Sequence, residues 1–372
     1  MASEQKQPKA RVLAYYLPQF HPIPENDEWW GKGFTEWTNV GKAKPLFPGH
    51  YQPHVPADLG YYDLRVPETR EAQAQMAREA GVEGFVYWHY WFGNGKRLLE
   101  RPFNEVLASG KPDFPFALAW ANETWAGFAF GADNKRLPLI EQTYPGDDDY
   151  IAHFYAVLPA LKDTRYITCE GKPIFIIYKP DQLPNAEYFI ELWQRLAVEN
   201  GLKGIYFIAH QQNKYTDEEI KQCREIRHNE GYSGVNIVNL SYKSTRQLPL
   251  WLHIIRSIFH KNRKFRVLPE LLPYDIRVFR TSYDREENVF PTVFPNWDHT
   301  PRTGLGGSVF YNSTPQKFEE AMRYAVSSVQ NKKSGNRFIF IKSWNEWAEG
   351  NYLEPDMKYG TQYLEAVKNS VL

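Results

Sequence analysis

Two glutamates three positions apart, Glu346 and Glu349, sit among indoles in the run Trp344-Asn345-Glu346-Trp347-Ala348-Glu349-Gly350. Carboxylates are rarely buried unless paired or used, and a carboxyl group beside apolar rings has its pKa raised. The run follows residues 338–343, an apolar and β-branched stretch that predicts a buried strand. On a continued strand, residues i and i+3 face opposite sides. The pair can share a site only if the chain turns directly after the strand, which Gly350 and the polar residues beyond it permit. Two carboxylates at one site, with tryptophan rings to stack on a pyranose, are what glycosidic-bond chemistry requires.

The elements that must position this pair follow from periodicity. Strands are predicted at 11–17, 84–91, 115–123, 173–178, 204–210, 234–240 and 338–343. Another falls at 292–298, although its proline counts against a central ladder position. Helices are predicted at 67–81, with Pro at the start and Gly just past the end, and at 147–161, 186–200, 314–330 and 359–371. A further helix opens at Thr216 with an acidic first turn. Residues 27–60, rich in Trp, Pro and Gly, read as one long loop, and loops of that length inside compact chains are usually functional. Eight strands, most of them followed by helices, predict an α/β fold: a single (β/α)8 TIM barrel with long βα loops. Residues 1–372 form one domain on this reading, with 1–10 flexible and 242–290 a basic insertion. A doubly wound open sheet is the alternative. No strand runs into G-x-G-x-x-G, which argues against a Rossmann site.

Chemistry in such barrels sits at the C-terminal strand ends. Reading those ends gives the candidate substrate contacts. They begin with Tyr15, Tyr16 and His21, continue with Trp88, His89 and Trp91, then Trp120, Asn122 and Glu123. Tyr178, His210, Trp297, Asp298 and Asn345 complete the ring around Glu346 and Glu349. Large amphipathic rings at strand ends explain any one member but fit the whole set poorly. Glu123 reads either as a substrate-contacting carboxylate or as a salt-bridged strand end, and His89 and His210 either as site or as satisfied core. Glu36, between Phe34 and Trp37, reads as an anchor for its loop. Neither histidine belongs to a spacing such as H-E-x-x-H, so no catalytic metal and no cofactor are expected.

The 12 Trp, 24 Tyr and 23 Phe fall in clusters, which favours a carbohydrate-facing groove over a merely aromatic interior. With 44 basic and 44 acidic residues, nothing global argues for nucleic acid or an anionic membrane. The expected partner is an oligo- or polysaccharide. Two cysteines, Cys169 and Cys223, make no disulfide framework. The polar start lacks an apolar h-region and no apolar run reaches membrane length, so a cytoplasmic location is expected. Within 251–264, Leu252, Ile255, Ile258 and Phe259 recur at helical spacing before the basic Lys261, Arg263 and Lys264. This segment reads as an insertion helix with a solvated basic face, or as a surface for an acidic glycan or anionic membrane.

Several segments together resemble the WbsX-type family. They are residues 15–26, Trp29-Trp30-Gly31-Lys32-Gly33-Phe34-Thr35-Glu36-Trp37, residues 87–92, Trp120-Ala121-Asn122-Glu123 and the run from Trp344 to Gly350. That family is met in bacterial polysaccharide and O-antigen contexts and is often labelled glycosyltransferase. It is in turn similar to glycoside hydrolase family 99, the endo-α-mannosidases, chiefly at the C-terminal N-E-W-x-E-G signature. The resemblance implies a retaining hydrolase. Glu346 would take the proton from the sugar 2-hydroxyl, so that O2 attacks C1 to form a 1,2-anhydro sugar, or would itself attack C1. Glu349 would protonate the leaving oxygen and then activate water, with Asn345 an orienting hydrogen bonder. This chain carries Trp344 where family 99 tends to carry Phe, and it has the long N-terminal Trp loop. A glycosyltransferase, and after it a non-catalytic glycan-binding protein, are the other function classes.

Overall fold

Runs such as Phe116–Trp120 and Phe338–Ile341 are buried at every position, as expected of parallel strands covered on both faces. The computed structural model describes residues 8–130, 136–212, 216–239, 268–275 and 281–372. Eight strands form the core: β1 (Arg11–Tyr16), β2 (Gly84–Trp91), β3 (Phe116–Trp120), β4 (Lys172–Ile177), β5 (Tyr206–Gln212), β6 (Gly234–Val238), β7 (Val289–Val293) and β8 (Phe338–Ile341). Each pairs in parallel with the next. The ring closes where β1 meets β8, Arg11 opposite Phe338 and Ala14 opposite Ile341. The fold is a (β/α)8 barrel.

Among the described residues seven helices wrap it: α1 (Pro67–Glu79), α2 (Arg101–Ser109), α3 (Asp147–Leu161), α4 (Ala186–Glu199), α5 (Asp217–Asn229), α6 (Pro315–Val329) and α7 (Gln362–Val371). Thr216 and Glu219 cap α5 reciprocally, each side chain accepting from the other's backbone N–H. The Lys9 N–H donates to Val371 O, tying the start of the described chain to α7. Among the described residues no helix is long and apolar enough to cross a membrane.

Three expectations need correction. Strand β7 occupies Val289–Val293, not 292–298, and it contains Pro291. Pairing with β8 begins only at Thr292, so the missing proline N–H falls before that ladder starts. Residues 27–60 are not one open loop: the short helices Pro24–Trp30 and Glu36–Lys42 lie in this stretch, too short to show a helical period. Helix α2 is absent from the expected set, although its early proline and the left-handed Gly110 at its end are ordinary helix punctuation. The basic run 251–264 and the predicted strand end at Leu240 lie outside the described residues.

Inside the barrel, side chains meet across the ring. The Tyr15 hydroxyl on β1 donates to Asn236 Oδ1 on β6 at 2.9 Å. The Asn236 amide donates to Phe290 O and to Thr292 Oγ1 on β7, at 3.0 and 2.7 Å. Asn236 is fully buried, so it joins three strands where no water substitutes. Replacing it, Asn236→Ala, is expected to destabilise the fold by about 2–4 kcal/mol in chemical denaturation. A loss below about 0.5 kcal/mol would mean that this bridge does not hold the three strands together.

Candidate active site

Strand alternation decides what reaches the barrel mouth. Phe340 stacks on Tyr15 inside the barrel, ring centroids 5.6 Å apart, so Lys342, two residues on, follows the same face. The chain then turns. Asn345–Glu346 pairs antiparallel with Asn351–Tyr352 around the single turn Trp347–Glu349. Gly350 ends that turn at φ +61°, and a Cβ there would lie 2.8 Å from Asp298 Cβ and 3.0 Å from Asp298 N. Only glycine fits both the conformation and the approach. The Asp298 N–H donates to Glu349 O, locking the turn to the loop after β7.

This turn brings Glu346 and Glu349 to one ammonium. Lys342 Nζ lies 2.7 Å from Glu346 Oε2 and 3.6 Å from Glu349 Oε2. Trp88 Nε1 donates to Glu346 Oε1 at 3.0 Å. Arg302 donates through Nη1 to Glu349 Oε1 at 2.5 Å and through Nε to Glu36 Oε2 at 3.2 Å. Burial pushes Glu346 up to about 7; Lys342 pulls it down, while Glu349 adds to the rise. Burial also acts to raise Glu349, but Arg302 and Lys342 outweigh it and hold that carboxyl below its ordinary value. Burial disfavours the charge on Lys342, yet Glu346 and Glu349 raise it overall. The site therefore holds an ionised Glu349 and a Glu346 that titrates near neutrality.

Behind the pair, Glu354 accepts hydrogen bonds from Trp344 Nε1, Trp347 Nε1, Gln73 Nε2 and the Tyr62 hydroxyl, at 2.6–2.9 Å. Burial pushes its carboxyl up to about 7 against these bonds. Trp344 and Trp347 are buried and fixed by this carboxylate, so neither is a platform for a sugar.

The cleft in front measures ≈ 490 Å³. Its aromatic walls include Trp30, Phe34, Trp88, Tyr90, Trp125 and Tyr178, and its polar lining adds Glu36, Glu123, His299, Arg302 and Lys342 to the pair. Burial lowers His299 to about 4, with Arg302 adding to the effect, which leaves the imidazole neutral. The arrangement can donate and accept protons beside a ring-stacking surface, within the usual range of ligand-pocket sizes.

The family model for glycosyltransferase WbsX matches residues 12–367. This chain belongs to the WbsX family. Two WxcX proteins of Xanthomonas campestris pv. campestris, from strains B100 and ATCC 33913, are 34% and 33% identical to it over 371 residues. The match takes in 97% of this chain and 50% of each relative, so the chain spans about half their length. Among solved structures, a glycoside hydrolase-like protein superposes with TM-score 0.59 at 14% identity, covering 99% of this chain and 95% of that one. The GH99 endo-alpha-mannosidase from Bacteroides thetaiotaomicron superposes with TM-score 0.56 at 15% identity, covering 96% of each chain. At those identities the likeness is one of fold.

In this WbsX-family chain, Glu346, Glu349, Trp88, Glu123 and Tyr178 meet at the cleft as expected. Glu123 also lies 3.8 Å from Lys179, so it is both a lining carboxylate and an ion-pair partner. Tyr15 and His210 sit behind that wall, Tyr15 stacked on Trp88 at 4.7 Å and His210 packed on Tyr178 at 4.9 Å. Other expected contacts lie outside the cleft lining. Tyr16, His89 and Trp91 project outward from their strands, to Gln73, His153 and Asp149 respectively. Trp120 donates to Trp91 O and packs on His153 and Phe189. His21 bonds Pro18 O. Asn122 brackets Lys179, and Asn345 brackets Leu17. Asp298 accepts from Gln52 and pairs with His50 beside a second cavity. Trp297 bonds Ser308, its ring 5.7 Å from the Lys342 ammonium. Alternation is the signal that separates these groups: Trp88 and Tyr90 face in, while Tyr87, His89 and Trp91 face out. The same rule finds Lys342, which the strand-end reading leaves out. Arg302 lies in the loop after β7, where no period exists to read, and Glu36 reaches the cleft by bonding it.

Because Gly350 meets both a left-handed conformation and a backbone contact, Gly350→Ala is expected to lower stability by about 1–3 kcal/mol. Denaturant midpoints check this. An unchanged midpoint would mean the turn is not held as described.

Proposed function

We propose that this chain is a retaining glycoside hydrolase, endo-acting on a bacterial polysaccharide or O-antigen-type glycan. One observation carries the reading: two buried glutamates on a single ammonium prefer opposite protonation states at the mouth of an aromatic-walled barrel. Pairs of carboxyls pushed apart in this way can supply an acid and a base for glycosidic cleavage; here Glu346 is pushed up and Glu349 down, so the proton has to cross to Glu349 before the bond breaks. Both carboxyls ion-pair with the one Lys342 ammonium, an arrangement closer to the short carboxyl separation of retaining enzymes than to the wide one of inverting enzymes. Glu346 acts as base on the 2-hydroxyl, or as nucleophile, and Glu349 protonates the leaving oxygen. The likeness to the Bacteroides endo-alpha-mannosidase supports an endo mode and a mannose-like O2 trans to the leaving group.

The family model's name favours a second reading, transfer from an activated sugar. Incubation with a panel of bacterial polysaccharides, without any sugar nucleotide, separates the two. New reducing ends support hydrolysis. Their absence, with polymer modification appearing once a sugar nucleotide is added, would establish transfer instead.

Three outcomes follow for the residues. Glu349→Gln is expected to lose about 10²–10⁴-fold on substrates with poor leaving groups while sparing glycosylation by activated aryl glycosides. Equal losses on both would remove Glu349 from the acid role. The pair is active with one proton between its two carboxyls. Raising the pH through about 7 takes that proton from Glu346, and lowering it through the depressed Glu349 value adds a second. The kcat/KM profile should be a bell whose alkaline limb falls near neutrality, and a profile flat from about pH 6 to 9 would contradict this. A 2-fluoro substrate with a good leaving group tests the route by intact mass. The O2-epoxide path predicts no labelled enzyme, and an adduct on Glu346 would replace it with direct attack.

A further inference from the structure

Glu349 Oε2 is buried and has no hydrogen-bond partner among the described residues. Orphaned buried acceptors are rare and call for a physical explanation. The orphan lies 3.6 Å from the Lys342 ammonium, which sits 2.7 Å from Glu346 Oε2. The other Glu349 oxygen is held by Arg302 at 2.5 Å. Each carboxyl thus has one close cation, and the unsatisfied oxygen is the one that Arg302 does not hold.

We propose that Lys342 is the positioning residue of the pair: its ammonium, ion-paired with both Glu346 and Glu349, sets which carboxyl carries the single proton they share. Only the catalytic consequence rests on the hydrolase reading; the sharing of the proton does not. Before a substrate oxygen approaches, Arg302 secures Glu349 as the anion, and Glu346, pushed up to about 7 by burial, carries the proton up to neutrality. That is the reverse of what cleavage needs. A glycosidic oxygen approaching Glu349 competes with Arg302, whose side chain is a quarter exposed to the cleft. As Arg302 leaves Oε1, the proton passes from the Glu346 hydroxyl to the Glu349 carboxyl, and Lys342, 2.7 Å from Glu346 Oε2, holds the new Glu346 anion. No proton enters or leaves, and the acid and the base are then in place.

The surroundings leave this exchange to the two cations. His299 and His210 are neutral, and Tyr15, Tyr90 and Tyr178 are pushed above their ordinary values by burial, so none of them titrates near neutrality. Of the remaining charges, Glu36 is bound to Arg302 and Glu123 lies beside Lys179.

The test uses the full chain labelled with 13C at the glutamate carboxyls, titrated by NMR without substrate, beside pH profiles of kcat/KM. The wild type should show two glutamates titrating near neutrality, Glu346 and Glu354, of which only the first disappears in Glu346→Gln. Lys342→Met should move the Glu346 titration up by at least about one pH unit and carry both limbs of the profile upward. Lys342→Arg, which keeps the charge, should leave them near their wild-type positions. Should Lys342→Met not fold, Lys342→Gln must give the same upward movement. Titration and limbs that stay in place, with activity only scaled down, would reduce Lys342 to a structural role and overturn the proposal. If no polysaccharide is cleaved, the carboxyl titration still decides the matter: an upward movement upholds Lys342 while the hydrolase reading falls, and none overturns both.

Discussion

The Lys342 ammonium, enclosed between Glu346 and Glu349 at the end of the last barrel strand, is the contact on which the barrel mouth depends. Taking a charge out of water costs several kcal/mol unless well-placed opposite charges return it. Here Lys342 and Arg302 face Glu36, Glu346 and Glu349, and each charge is tolerable only because the others are present. The consequence is mechanical as well as electrostatic. Glu36 comes from the long segment after β1, Arg302 from the loop after β7, and the glutamate pair from the turn after β8. One ionic cluster therefore fixes three otherwise independent loops, with Gly350 allowing the closest approach between two of them.

A second buried carboxylate works from behind. Glu354 gathers two indole N–H groups, an amide and a phenol, and so orients the turn carrying the pair without touching the cleft. Trp344, which stands where family 99 tends to carry Phe, belongs to this support. That difference is absorbed in the packing against Phe85 and the bond to Glu354, away from the cleft wall.

Much of this is legible in the chain. Barrel strands read as apolar runs because both faces are covered, and the glutamate motif announces itself by placing carboxylates among indoles. What stays hidden has physical causes. Strand β7 ends where the expected stretch 292–298, with its Pro295, begins; Pro291 lies inside it, and only the pairing partners reveal that the missing N–H falls before the β8 ladder. Outward rings such as His89 and Trp91 resemble site residues when strand ends are taken together, yet alternation sends them to the helices. Arg302 and Glu36 depend on contacts 266 positions apart, which no local pattern records.

Fold alone does not assign chemistry, and the family's transferase name and the hydrolase fold of its structural neighbours pull in different directions. The geometry of the pair makes a stereochemical demand that separates these possibilities from one another and from inverting hydrolysis. Proton NMR of the first-formed product, recorded before mutarotation on a glycan cleaved without sugar nucleotide, reads that demand directly. Catalysis by this pair predicts a new reducing end with the anomeric configuration of the bond that was broken. A first product of opposite configuration would contradict it, because attack through O2 or through Glu346 followed by water at C1 is two displacements and returns the starting configuration.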